Sequence, residues 1–361
     1  MGELKLMKGN EALAEAAIRA GADGYFGYPI TPQSEVIEYL MAEKPWERTG
    51  MVVLQAESEV ASINMLYGGG GTGKKVMTSS SSPGISLMQE GISYLAGAEI
   101  PCVVVNVVRG GPGLGDIQPS QSDYFQSVKG GGHGDYRLPT LAPSSVQEMS
   151  DFVPVAFDLA FKYRTPVLIV SDGLIGQMME KVELFDPIPR WTDEEIVEMH
   201  PWATNGKPKG GERRIMTSLY LDPHVLEEHN YKLQRKYAEI TKNEVRYELL
   251  DAEDADYLFV AYGSSSRIAQ KSVKLAREKG IKVGLLRIIS LWPFASEIIN
   301  EFTEKGIKGF LSVEMSAGQM VEDIKLAVNG RTKVEHFGRL GGVIHSPEEV
   351  LEALEQKLIG G

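Results

Sequence analysis

The chain has 361 residues, 43% of them apolar and 24% charged, enough for about two domains at 100–200 residues each and for a substantial core. Its formal net charge of −12, from 37 basic and 49 acidic residues, speaks against nucleic acid or an anionic membrane as partner. A single cysteine, Cys102, excludes an internal disulfide and any four-cysteine metal or iron–sulfur site, and the longest apolar run, Cys102–Val108 broken by Asn106, is too short to span a bilayer.

The N-terminal Met-Gly-Glu-Leu-Lys has no apolar signal core, which points to the cytoplasm. Asn10 is placed to cap a first helix whose Leu13, Ala16, Ala17 and Ala20 share one face, with Gly21 closing it. Residues 23–30 read as a strand that Pro29 and Pro32 stop abruptly. Each proline fixes its own φ and keeps the residue before it out of the helical region, so Thr31 is held in a pre-set turn. A helix over 33–41 and a strand over 51–55 follow. Next comes a helix with Ala56, Val60, Ile63 and Tyr67 on one stripe and Glu59 beside it in the first turn.

A short strand over 76–78 runs into Ser79-Ser80-Ser81-Ser82-Pro83-Gly84 and another helix. Cys102–Val108 has the unbroken apolar pattern of a strand covered on both faces. It ends at Arg109 and the glycine-rich loop 110–116, and a second glycine cluster, 130–134, encloses His133. Ser145 and Glu148 form a capping box for the next helix, and a strand over 167–170 completes the first domain. This β-α alternation predicts a parallel, doubly wound α/β sheet over 1–186. From 187 to 250 the pattern dissolves into a proline-rich excursion and a charged helix opened by Asp222-Pro223; so long a connection is expected to be functional or interfacial. A second α/β domain fills 251–361.

Ligands of open α/β sheets bind where the strands end. There the first domain offers the Thr31 hydroxyl, the Glu59 carboxylate at a helix start, the serine run and the Arg109 guanidinium. Arginine suits a planar carboxylate because its fork binds bidentately. Other roles stand beside these: Thr31 as a helix cap, Glu59 as complement to a helix dipole, Arg109 as a structural ion-pair partner, the serines as a cap and turn, His133 as a solvent-facing loop residue. The stretch 68–75, Gly-Gly-Gly-Gly-Thr-Gly-Lys-Lys, is one residue from a phosphate-binding loop. It has a helix before it and a strand after it, the reverse of what that motif needs, and Lys75 replaces the magnesium-holding hydroxyl.

Tyr-Pro-Ile-Thr-Pro at 28–32, Glu-Ser-Glu-Val-Ala-Ser at 57–62, Thr-Ser-Ser-Ser-Ser-Pro-Gly at 78–84, Arg-Gly-Gly-Pro-Gly at 109–113 and Leu-Trp-Pro-Phe at 291–294 together resemble the alpha-type subunit of 2-oxoacid:ferredoxin oxidoreductases. Segments 113–124 and 130–136 look most like the 2-ketoisovalerate (branched-chain) enzyme. The resemblance implies a thiamine diphosphate enzyme that oxidatively decarboxylates a 2-oxoacid, forms an acyl-CoA and reduces ferredoxin. It further implies a pyrimidine-binding-type first domain and a transketolase C-terminal-like second one. Carried over by motif, Glu59 would hold the aminopyrimidine ring, with Tyr28, Pro29 and Ser81 beside it, and Arg109 and Thr31 would hold the substrate's carboxylate and keto group.

No Gly-Asp-Gly…Asn signature for magnesium and diphosphate is present. The resemblance therefore implies a shared site: a beta subunit carrying magnesium and diphosphate, and gamma and ferredoxin-like subunits carrying iron–sulfur clusters. The alternatives are the same subunit acting on 2-oxoglutarate or pyruvate, a non-catalytic binding or assembly protein of this fold, and a phosphotransferase using 68–75.

Overall fold

The computed structural model describes residues 3–207 and 212–360 and contains two α/β sheets in series. The first half runs β1 (Glu3–Lys8), α1 (Gly9–Arg19), β2 (Gly24–Gly27), α2 (Ser34–Glu43), α3 (Pro45–Arg48), β3 (Val52–Gln55), α4 (Glu59–Gly71) and β4 (Val76–Ser80). It continues through α5 (Ser82–Gly97), β5 (Cys102–Val108), α6 (Tyr124–Val128), β6 (Thr140–Leu141), α7 (Val146–Tyr163), β7 (Pro166–Asp172), α8 (Gly173–Gln177) and β8 (Met179–Leu184). Strands β6-β7-β5-β4-β2-β3 pair parallel in that order, the doubly wound sheet expected. Every residue of β5 is buried, Cys102 among them as a small core side chain, which is why that strand is apolar nearly throughout.

Several local expectations are corrected. Asn10 does not cap α1. Lys8 does, its N–H donating to Glu11 Oε2 at 2.9 Å, while the buried Asn10 amide donates to Pro32 O at 2.7 Å and so anchors the Thr31 turn. Strand β2 stops at Gly27 rather than 30, and β4 extends to Ser80, so Ser79 and Ser80 lie in the strand.

The apolar stripe of α4 holds in part: Ala56 and Ile63 are buried and Tyr67 packs on the core, but Val60 is 46% exposed, and the buried face includes Glu59, Ser62, Leu66 and Gly70. Glu59 is therefore on the inward face, not beside it. The run 68–75 ends α4 and precedes β4, the order that excludes a phosphate-binding loop. A Cβ at Gly70 would come within 2.6 Å of Ile100, so close packing accounts for that glycine. Strand β1 was not foreseen. It pairs antiparallel with β8 across the whole first domain, with Leu4 and Leu6 exposed and only Met7 buried.

The excursion contains a short helix that was not expected, α9 (Asp193–Met199), capped by Thr192 and Glu195, and then α10 (Pro223–Asn243), opened by Asp222 as the sequence suggested. Positions 208–211 of its basic run lie outside the described residues. An aromatic cluster fastens the excursion to the domain. Trp191 and His200 pack on Phe161 with centroids 4.8 and 5.0 Å away, and Lys75 lies 4.3 Å over the Trp191 ring. Helix α10 is held by ion pairs from Glu99 to Lys232 and to Lys236, the latter at 2.6 Å.

The second half runs β9 (Tyr247–Leu250), β10 (Tyr257–Ala261), α11 (Gly263–Glu278), β11 (Val283–Ile288), β12 (Ser290–Trp292), α12 (Ser296–Glu304), β13 (Gly309–Glu314), α13 (Met320–Val328), β14 (Lys333–Gly338) and α14 (Pro347–Leu354). Its sheet has the order β14-β13-β10-β11-β9, with β9 antiparallel to β11. Strand β12 leaves that sheet and pairs antiparallel with β6 of the first. The apolar core is likewise continuous across the junction, from Leu13 and Tyr124 to Tyr262 and Phe310.

His345, 2% exposed, packs edge-on against Phe337 at 5.9 Å, and neither ring nitrogen has a partner among the described residues. Burial lowers its pKa from 6.5 to about 4. The folded chain then refuses a proton that the unfolded chain accepts, so stability is full above pH 6.5 and falls steadily toward pH 4. At about 1.4 kcal/mol per unit the loss is roughly 3 kcal/mol. Thermal midpoints at neutral and acidic pH check this: His345→Leu should be clearly less acid-sensitive across that window than the wild type.

Candidate active site

The turns after β2, β3, β4 and β5 do meet at one edge of the first sheet. Arg109 follows β5 directly and is 6% exposed. Its Nη1 donates to Thr31 O at 2.8 Å and its Nη2 to Leu114 O at 3.1 Å, while its buried Nε–H has no partner among the described residues. Among the described residues it makes no ion pair, so the reading of Arg109 as a structural salt-bridge partner falls. Thr31 meets Arg109 through its carbonyl, and the residue itself is exposed. The Thr31–Pro32 peptide is cis, and the Pro32 carbonyl is held by the side-chain amides of Asn10 and Gln177.

Glu59 is the first residue of α4. Ser58 caps that helix through Ala61 N–H at 3.2 Å, leaving the Glu59 carboxylate free of the capping role. The side chain is 6% exposed and, among the described residues, has no hydrogen bond or ion pair. A buried carboxylate without a partner is costly. The start of α5 comes close to it: a Cβ at Gly84 would sit 2.0 Å from Ser80 Oγ and 2.7 Å from Glu59 Oε1. A larger residue there would have to displace those side chains, and the hydroxyls of Ser80 and Ser81 are buried beside it without partners among the described residues. Tyr28 and Pro29 are half-buried in the turn, where Gln33 Nε2 donates to Tyr28 O at 3.1 Å. His133 is exposed, its ring edge-on to Tyr94 at 6.0 Å.

Sequence reasoning missed a polar network behind Arg109. Ser82 Oγ donates to Asp123 Oδ2 at 2.7 Å and accepts from Arg109 N–H at 3.1 Å; Asn106 Nδ2 donates to the same Asp123 oxygen at 2.9 Å. Burial raises the Asp123 pKa against the lowering effect of those two donors. The one available signal was Asn106, a lone amide inside an otherwise apolar strand. Asp123, Ser82 and Pro83 line a cleft of about 960 Å³ whose far wall is Met315, Ser316, Ala317 and Gln319 of the second domain. No lysine or arginine among the described residues lines it. Among the described residues no three His, Cys, Asp or Glu side chains gather to hold a metal ion, and no helix is long and apolar enough to cross a membrane.

Two α/β domains in series, with orphan polar groups where the first sheet's strands end, make a fold of the transketolase kind. The fold likeness extends to a split-gene transketolase at 12% identity and a TM-score of 0.58. Residues 15–248 match the family described as pyruvate flavodoxin/ferredoxin oxidoreductase, thiamine diphosphate-binding, and 255–350 match pyruvate:ferredoxin oxidoreductase core domain II. The chain belongs to the 2-oxoacid:ferredoxin oxidoreductase family, as an alpha-type subunit. It is 50% identical to the ketoisovalerate oxidoreductase subunit VorB of Methanothermobacter thermautotrophicus over 98% of this chain and 97% of that one. To the 2-oxoglutarate synthase subunit KorA of Methanocaldococcus jannaschii it is 38% identical, over 98% and 99%. The solved 2-oxoglutarate:ferredoxin oxidoreductase of Magnetococcus marinus superposes with a TM-score of 0.86 at 26% identity, covering 99% of this chain and 66% of the longer one.

Proposed function

We propose that this subunit forms the pyrimidine-side half of a thiamine diphosphate site that oxidatively decarboxylates a branched-chain 2-oxoacid, 2-ketoisovalerate, to an acyl-CoA with reduction of ferredoxin in the cytoplasm. The observation that carries the reading is Glu59: a buried side chain with no hydrogen bond or ion pair among the described residues, at a helix start, against a glycine that leaves it room. The residues fit the cofactor. Glu59 would hold its aminopyrimidine ring, with Tyr28, Pro29 and Ser81 around it. The bound cofactor supplies the electron sink for loss of carbon dioxide. Glu59 would accept or donate a hydrogen bond at the pyrimidine ring, while Arg109, braced on Thr31 and Leu114, orients the substrate carboxylate through its remaining donors. A beta subunit would bring magnesium and the diphosphate site, and gamma and ferredoxin-like subunits the iron–sulfur clusters. The units 1–186, 187–250 and 251–361 are the divisions we adopt for this scheme.

The branched-chain assignment draws support from the relatives named for ketoisovalerate and from the cleft itself. Its wall includes Pro83, Met315, Ala317 and Leu340, and among the described residues no cation lines it to meet a second carboxylate. An unmatched carboxylate there is expensive to desolvate. The assembled complex should therefore show kcat/KM for 2-ketoisovalerate above that for 2-oxoglutarate by about 100-fold. A preference for 2-oxoglutarate would overturn the substrate and leave the reaction class. The chain purified alone should neither retain thiamine diphosphate nor turn over, and adding the partner subunits should restore 2-oxoacid-dependent reduction of ferredoxin or a viologen.

A further inference from the structure

Two glutamines, one from each domain, reach across the junction and bind the other domain's main chain. Gln121, 2% exposed, lies in the segment between the Arg109 loop and α6. Its Nε2 donates to Tyr262 O at 2.8 Å, and its Oε1 accepts from Met315 N–H at 2.9 Å and from Ser265 Oγ at 2.7 Å. Gly263 gives it room, since a Cβ there would come within 3.1 Å of that amide nitrogen. Gln319 reaches the opposite way: its Nε2 donates to Ser122 O at 2.7 Å and its Oε1 accepts from Phe125 N–H at 2.8 Å. The main chain closes the same seam, with Gln121 N–H donating to Met315 O at 2.9 Å.

We propose that Gln121 and Gln319 are positioning residues: a reciprocal clasp that holds the 120–125 segment so that Asp123 keeps its place on the wall of the cleft and, through Ser82, the main chain of Arg109 keeps its place directly before the 110–113 stretch of that wall. The physical case is geometric. Asp123 lies between the two clasped stretches, Gln121–Ser122 and Phe125, and its oxygen fixes Ser82 Oγ, which in turn accepts the Arg109 N–H. Each glutamine presents a donor and an acceptor to fixed main-chain groups, and both sets are satisfied. No shorter or apolar side chain can replace both bonds; the Tyr262 carbonyl and Met315 N–H that Gln121 would leave behind are buried, while the groups that Gln319 binds lie half-buried at the edge of the cleft. The anchor on the second domain is itself rigid. Glu314, fully buried, accepts the N–H groups of Gln319, Met320 and Val321, each at 3.0 Å, and so fixes the start of α13 from which Gln319 projects.

This inference rests on the reading of the cleft as the substrate side of the site, and its test has one arm that does not. In the assembled complex, Gln121→Ala and Gln319→Ala are compared with wild type, with Gln319→Glu as a variant that keeps the acceptor. Hydrogen exchange of amides 109–123 is followed at a temperature well below every variant's midpoint. Both alanine variants should exchange about tenfold or more faster there, with the β4 and β7 amides unchanged, and Gln319→Glu should fall between. The KM for the 2-oxoacid should rise about tenfold with kcat changed less, and Gln121→Ala should add little to an Asp123→Asn background. Unchanged exchange in 109–123 overturns the clasp. Faster exchange with an unchanged KM overturns its role in positioning the site. A complex that turns over no 2-oxoacid at all indicts the functional reading instead, and the exchange arm still decides the clasp.

Discussion

Glu59→Gln should leave the chain folded and at least as stable as wild type while its 2-oxoacid-dependent turnover falls by roughly 10²–10⁴, the scale of a lost acid–base group. The stability half of that expectation comes from the site itself. Glu59 is 6% exposed and makes no hydrogen bond or ion pair among the described residues, so the amide replaces the carboxylate without breaking a bond. A carboxylate retained only to complement the dipole of α4 behaves in the opposite way, losing about 0.3–1 kcal/mol with near-normal turnover. Ser58 already caps that helix, which weakens the dipole reading further. Glu57→Gln is the control: the same charge change two residues earlier, at an exposed position. Thermal midpoints and dye reduction of both variants in the reconstituted complex separate the two. Glu59→Gln within a few-fold of wild type would place the critical carboxylate elsewhere.

The parts of this fold that could be read from the chain are those whose signals are local. Cys102–Val108 announces a doubly covered strand because burial on both faces demands apolar side chains at every position but one. The two prolines flanking the Thr31 turn report it through φ alone. The stripe of α4 is only partly legible because the helix contains four glycines, one serine and one asparagine, whose buried and exposed faces carry little hydropathy contrast. Glu59 then seemed to lie beside the core instead of within its margin. Strand β1 escaped notice because its exposed residues include Leu4 and Leu6, and its partner β8 lies at the other end of the domain. Likewise nothing near Gln121 or Gln319 in the sequence marks them as neighbours; only the docking of the second domain brings them together.

Non-local closure also explains the candidate site. Thr31, Glu59 and Arg109 were legible as strand-end residues, since a parallel sheet sends all its carboxyl ends one way. The network that holds Arg109 was not, because Ser82, Asn106 and Asp123 come from an α5 start, a β5 interior and a loop. A single polar residue in an apolar strand was the only trace of it. The second domain contributes no expected catalytic group, yet it forms one wall of the cleft and shares a sheet with the first through β12. It therefore has a part in shaping the site as well as in docking to it.

Arg109→Lys should cost about 10- to 100-fold in kcat/KM for the 2-oxoacid, and the split of that loss between substrates decides what Arg109 does. The guanidinium spans two main-chain carbonyls, Thr31 O at 2.8 Å and Leu114 O at 3.1 Å, so it ties the turn after β2 to the loop after β5. A lysine keeps the charge but cannot present a planar fork to both carbonyls and a carboxylate at once. Losing one or two charge-assisted hydrogen bonds is worth about 1.5–3 kcal/mol, which corresponds to the range given. If Arg109 orients the substrate carboxylate, the KM for the 2-oxoacid rises while that for coenzyme A stays within about twofold. If it only braces the loop, both KM values rise together, because the loop wall is common to whatever occupies the cleft. A thermal midpoint close to wild type is expected in either case, since one ammonium–carbonyl bond can still form and no carboxylate is left unpaired. A variant with unchanged kcat/KM would remove Arg109 from the site altogether.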